Sequence, residues 1–268
     1  MTGGLPFESY VDAIGEEAER ILQIASRGAD RPVPGCPGWG VSDVVRHVAL
    51  LCSHWEAQVA AADPESMTGP LDAPAPLRGA RLPSAGRRPE LAESVPSGTL
   101  GEAAAELDHS AAALVTALGR AGPLAPCWNW SGSDLVAAWA ARRVAVELAL
   151  HRVDCEQALG EATPIETELA VDGVDERLDV HLRASLGRVP GGVLKGSICL
   201  VASDSDASWL VESSRGQIRW RRARGPADVV LVATASELLQ FVWNRLGADE
   251  LARTGRLEVA LSWRAVPA

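Results

Sequence analysis

One stretch constrains this chain more than any other: Arg143-Val-Ala-Val-Glu-Leu-Ala-Leu-His-Arg-Val-Asp154, the heart of residues 140–154. It is rich in Ala, Leu, Val and Arg and lacks Gly and Pro, which predicts a helix. On a helix Glu147 and His151 share a face one turn apart, with Arg143 one turn before them and Asp154 nearly one turn after. The rest of the segment is mostly apolar. An apolar helix carries a carboxylate and an imidazole only where they are paired or bound to something. Either Glu147 pairs within the helix with His151 or Arg143, or Glu-x-x-x-His offers an oxygen and a nitrogen to a metal, as helices of bundle metal sites do.

The segments around this helix predict what it packs against. Apolar stripes at helical spacing run through residues 7–27, through about 42–62, and through 100–118. Ser42 is placed to cap the second helix, Gly119 and Gly122 to end the third, and Ser131 or Ser133 to cap the fourth, which stops at Gly160. Four amphipathic helices make a four-helix bundle. Residues 63–99 read as one long loop, of a size that is usually functional or partly disordered. A further helix over 165–186 opens after Pro164 and links the bundle to the C-terminal part of the chain. From Gly192 the period changes to short β-type runs at 196–202, 208–212, 217–221 and 228–233, then a helix over 235–246 and a last strand over 256–261. The expected division is a bundle domain, 1–188, and a small α+β domain, 189–268.

Composition sets the class. The chain has 268 residues, 47% hydrophobic and 22% charged, with a net charge of −10. That balance fits a folded globular protein and argues against nucleic acid or an anionic membrane as partner. No apolar run is long enough to span a bilayer, and the N-terminus has neither the basic nor the apolar region of a signal peptide, so the expected location is the cytoplasm. Cys36, Cys52, Cys127, Cys155 and Cys199 are scattered and odd in number, which reads as reduced thiols. The sequence leaves a monomer and a homodimer both open.

A third ligand for Glu147 and His151 is available in the second helix, where His47 interrupts the apolar run Val44-Val-Arg-His-Val-Ala-Leu-Leu51. A histidine there, taken alone, is a satisfied core residue more often than a ligand. Two imidazoles and one carboxylate, however, are the His₂Glu set of open catalytic zinc sites, which leave one position for water or substrate. Asp154 is placed to orient a ligand imidazole or simply to sit at the surface near the helix end, and His54, one residue short of two turns from His47, is a pocket candidate.

Val33-Pro-Gly-Cys-Pro-Gly-Trp-Gly-Val-Ser-Asp-Val-Val-Arg-His47 and the 143–154 segment resemble mycothiol-dependent maleylpyruvate isomerase-like proteins of the DinB-like metal-binding superfamily. Thr163-Pro-Ile165, residues 170–176 and Leu238-Leu-Gln-Phe-Val-Trp-Asn-Arg245 continue the likeness over nearly the whole chain. The resemblance implies a DinB-like four-helix bundle followed by an SCP2-like α+β domain. It implies zinc, or another divalent metal, on His47, Glu147 and His151, with the low-molecular-weight thiol mycothiol as cosubstrate. It also implies a catalytic arginine in the C-terminal domain, matched here by Arg245, whose plainer reading is a solvated residue at a helix end.

The implied chemistry has a physical basis. A free thiol with a pKa near ~8.5 is mostly protonated at neutral pH, and coordination to an open zinc position deprotonates it. The thiolate adds to an electrophilic carbon conjugated to a carbonyl. Bond rotation and loss of the thiol give cis–trans isomerisation; retention of the adduct gives S-transfer. Metal-assisted hydrolysis with water in the open position, and a non-catalytic ligand-binding protein on the same fold, are the alternatives.

Overall fold

The computed structural model describes residues 4–61, 98–129, 131, 134–182, 194–214 and 217–265. Apart from Gly98 and Thr99, the expected loop 63–99 lies outside the described residues, as does the end of the expected linking helix. The chain divides into two compact units, Met1–Thr163 and Pro164–Ala268.

The first unit is built on four helices: α1 (Phe7–Ala25), α2 (Val41–Ala61), α3 (Leu100–Ala121) and α4 (Ala137–Leu159). In α1 the buried residues Tyr10, Ile14, Ala18, Ile21 and Ile24 recur at three- and four-residue intervals, so one apolar stripe faces inward. Helix α3 opens on a capping box. Glu102 N donates to Thr99 Oγ1 at 3.2 Å, and Thr99 N donates to Glu102 Oε2 at 2.7 Å. Helices α2 and α4 both pack on the others of the bundle, with Leu107, Leu114, Leu118, Leu148 and Leu150 among the fully buried side chains between them.

Two expected caps are corrected. Helix α2 begins at Val41, so Ser42 sits inside its first turn. Its cap comes from the preceding loop: Asp30 accepts from Ser42 N at 2.9 Å and from Ser42 Oγ at 2.8 Å, while Asp43 reaches back to Gly40 N at 2.8 Å. Helix α4 begins at Ala137, with Val136 at its cap position and no side-chain cap. Ser131 is held in an Asn129-centred turn instead, donating from its N to Asn129 Oδ1 at 3.0 Å. Gly160, at φ 78°, ends α4 as expected.

Helix α4 is buried on nearly every side, and four of its charged residues, Arg143, Arg152, Asp154 and Glu156, are buried with it. Each of the four is paired. Arg152, fully buried, donates from Nε to Glu17 Oε2 at 2.8 Å and from Nη1 to Glu156 Oε2 at 2.8 Å and Thr163 O at 2.7 Å. This network ties α4 to α1 and to the last residues of the unit.

The second unit starts with α5 (Thr167–Glu176), which continues into a π-helical turn at Arg177–His181. The second unit opens at Pro164, where the sequence placed the linking helix within the first domain, and α5 packs on α6 (Ala235–Val242). Ile165 N donates to Ser236 Oγ at 2.9 Å, and Arg177 Nε donates to Val242 O at 3.0 Å. The sheet has strands β1 (Ser197–Ala202), β2 (Ser208–Ser214), β3 (Gln217–Arg222), β4 (Val229–Ala233) and β5 (Ala252–Gly255), in the order β3-β2-β1-β4-β5. Strands β1 and β4 are parallel; the other pairs are antiparallel. Residues 256–261, expected as a strand, instead contain the short helix α7 (Leu257–Leu261). The fifth strand comes earlier and ends at Gly255, at φ +104°, where a Cβ would lie 2.3 Å from Asp228 O. The chain leaves the sheet there. No helix among the described residues is long and apolar enough to cross a membrane.

Candidate metal centre

Helices α2 and α4 bring His47, Glu147 and His151 together. One ligand-type atom from each lies within 4.8 Å of the others. Nε2 of His47 and Oε1 of Glu147 are 3.4 Å apart, and the two imidazole centroids are 5.0 Å apart, edge to face. Both histidines are buried, at 2% and 1% exposure, while the Glu147 side chain keeps 17%. The two imidazoles are thus buried, and of the three side chains the carboxylate keeps the most exposure.

The distances test whether these residues suit a cation. Ligands ~2.0–2.1 Å from zinc at tetrahedral angles stand about 3.3 Å apart. The His47–Glu147 separation of 3.4 Å matches that spacing, and it is long for a charge-assisted hydrogen bond, which closes to about 2.7–2.9 Å. Two imidazoles and one carboxylate also form a donor set suited to zinc. The residues fit.

Neighbouring groups set the charge and the proton positions. Arg143 Nη2 donates to Glu147 Oε2 at 2.5 Å, so the two carboxylate oxygens divide their tasks: Oε2 meets the guanidinium and Oε1 faces His47. Burial alone would push the Glu147 carboxyl up; Arg143, His47 and His151 more than offset this, and it is held well below the usual range. Asp154, fully buried, faces His151 Nδ1 at 2.9 Å. A proton held at Nδ1 leaves Nε2 with the lone pair a cation needs. Asp154→Asn is therefore expected to weaken zinc binding roughly 10–100-fold, measured by chelator competition; an unchanged affinity would remove Asp154 from the site.

Two expected residues remain, His54 and Arg245. His54 is buried against the Trp55 ring, 5.1 Å between centroids, and burial lowers its pKa; the ligand groups found among the described residues do not include it. Trp55 and Trp139 pack with ring centroids 5.5 Å apart, tilted by 49°, in the core of the unit. Arg245 lies in the turn after α6, within the second unit, and its Nη1 donates to Trp243 O at 3.4 Å. Asn244 before it takes φ 61°, which ends the helix ahead of the expected 246. All five cysteines are buried and reduced. Burial pushes the Cys127 thiol up to about 12, and burial with the Glu147 charge does the same to Cys52. Cys155 is raised well above the ordinary thiol range, by burial first and then by Asp154.

In the sequence Cys36 lies near His47, where a ligand role is possible and inert filling is the commoner reading of a buried thiol. The structure places its Sγ 3.4 Å from Asp154 Oδ2, with a hydrogen bond between them. It also sets the Trp39 ring 5.3 Å from that of His47. The one available signal was that both belong to the Pro-Gly-Cys-Pro-Gly-Trp turn ahead of α2.

Known proteins share this arrangement of elements. Residues 11–156 match the model of the mycothiol maleylpyruvate isomerase N-terminal domain, more than half of the chain and all three candidate ligands. The chain belongs to the mycothiol maleylpyruvate isomerase family. A crystal structure of the mycothiol-dependent maleylpyruvate isomerase is similar in fold at TM-score 0.61 and 15% identity, covering 93% of this chain and 93% of that one. A structure of a histidine-to-alanine mutant of that isomerase gives TM-score 0.63 with the same identity and coverage. At this identity the likeness speaks for the fold alone. A comparison with curated proteins found no significant match.

Proposed function

We propose that this member of the family is a zinc-dependent enzyme that uses mycothiol to act on a small electrophile. Its reaction is of the isomerase type, cis–trans rotation about a double bond conjugated to a carbonyl, or the related S-transfer. The observation that supports it best is the convergence of His47 Nε2, Glu147 Oε1 and His151 within 4.8 Å of one another, in a chain of this family.

When bound, a zinc ion supplies Lewis acidity that lowers the pKa of a thiol placed beside it. The chain's residues do the rest. His47 and His151 offer ring nitrogens, Asp154 faces His151 Nδ1, and Arg143 keeps Glu147 ionised. Burial of the two imidazoles keeps water away from them. The chain's own thiols are poor nucleophiles, since Cys52 and Cys127 stay protonated near neutral pH. The reacting sulfur therefore comes from the cosubstrate. Assignment of Arg245 to the substrate's carboxylate or developing enolate rests on the resemblance.

The test uses the zinc-loaded full chain with mycothiol and a panel of activated alkenes that includes maleylpyruvate. Isomerisation or thiol consumption is expected only when the thiol is present. Arg245→Ala is expected to lower kcat/KM about 10-fold or more with bound zinc unchanged. Retained zinc without thiol-dependent turnover across the panel would refute the reading.

A further inference from the structure

We infer that the Cys36 thiol is a positioning group for the candidate metal centre, acting on His151 through the Asp154 carboxylate. The inference rests on reading His47, Glu147 and His151 as ligands. Oδ2 of Asp154 is shared: Cys36 Sγ donates to it at 3.4 Å, and His151 Nδ1 faces it at 2.9 Å. All three side chains are buried, at 3%, 0% and 1% exposure, so bulk water does not compete for that oxygen.

Cys36, His151 and Asp154 also lie close enough together to be considered as a cation site of their own. The distances decide against this. At 2.9 Å, Asp154 Oδ2 and His151 Nδ1 are at charge-assisted hydrogen-bond length, closer than the about 3.3 Å that separates two ligands on one tetrahedral zinc. The arrangement is a chain of hydrogen bonds, thiol to carboxylate to imidazole, that ends on a histidine which also belongs to the group with His47 and Glu147.

A fully buried carboxylate needs donors on its lone pairs. The thiol is one, and it fixes Oδ2 where the Nδ1–H of His151 points. The backbone sets the thiol in place: Cys36 N donates to Val33 O at 3.1 Å and Trp39 N to Cys36 O at 3.0 Å. The same turn lays the Trp39 ring against His47. One short turn thus steadies both ligand imidazoles, one by a ring face and the other by a relay.

The experiment is zinc affinity of the full chain by chelator competition, with folding checked by circular dichroism. Cys36→Ala is expected to lose roughly 3–10-fold in affinity, less than direct loss of an outer partner produces. Cys36→Ser, which keeps a donor, is expected to stay within about threefold of wild type. In an Asp154→Asn background, Cys36→Ala should change affinity less than about twofold, because its route to His151 is gone. Wild-type affinity in Cys36→Ala overturns the inference. So does the full loss persisting in the Asp154→Asn background, or a loss in Cys36→Ser as large as that in alanine. Cobalt-loaded protein should show no sulfur-to-metal charge-transfer absorption; such a band would make Cys36 a ligand and overturn the positioning role. A wild-type chain that binds no zinc refutes the ligand reading itself, a separate and distinguishable failure.

Discussion

His47→Ala is expected to leave the bundle folded and to strip it of its metal. The argument is one of donor count. Two ligands on α4, Glu147 and His151, present only an edge to a cation; the nitrogen from α2 turns that edge into a face. Removing it should reduce zinc affinity by far more than the ~10–100-fold seen when an outer partner is lost. The check is metal content after dialysis, followed by chelator competition. The opposing view is that Arg143 already neutralises Glu147 at 2.5 Å and the cluster is a closed ion pair. On that view wild type and variant both emerge without metal, and their thermal stabilities do not respond to added zinc. If the three residues are ligands, zinc stabilises wild type by mass action and leaves His47→Ala unmoved.

The largest expected loss of stability lies elsewhere in the same helix. Arg152 is fully buried and holds Glu17, Glu156 and Thr163 from one guanidinium. Arg152→Ala leaves two largely buried carboxylates without their shared cation, a defect that costs about 3–5 kcal/mol. For a unit of this size that corresponds to a fall in Tm of roughly 6–20 °C. Thermal or denaturant unfolding measures it, and a change below about 1 kcal/mol would show that solvent screens the network. The same network makes the unit acid-sensitive. Burial would raise the Glu156 carboxyl, but its bonds from Thr163 and Arg152 lower it below its ordinary 4.5. A lowered folded value means its stabilisation is complete above 4.5 and is lost as pH falls through the folded value. In Arg152→Ala part of that acid dependence should vanish.

The bundle and the meeting of His47, Glu147 and His151 were readable because their signals are local or periodic. Glu147 and His151 share a face by spacing alone, and His47 stands out as an imidazole in an apolar run. What the sequence hid is long-range. Cys36 and Asp154 meet across 118 positions, and nothing in either neighbourhood announces the other. Helix α5 looked like a bundle appendage because its partner, reached through Arg177 and Val242, lies 65 residues further on. The stretch 256–261 fits helix and strand periods equally at that length; in the fold it follows Gly255, whose positive φ marks where the chain leaves the sheet. The caps of α2 and α4 were misplaced because Asp30 and Asn129, outside the helices, organise the turns that Ser42 and Ser131 are spaced to lead.

The burial of every cysteine has a consequence for life beside a reactive small thiol. Mixed-disulfide capture needs an accessible thiolate on the protein. Here each sulfur is shielded, and Cys52, Cys127 and Cys155 are further disfavoured as anions. A molecule built this way can meet a free thiol, or its oxidised dimer, without itself becoming thiolated.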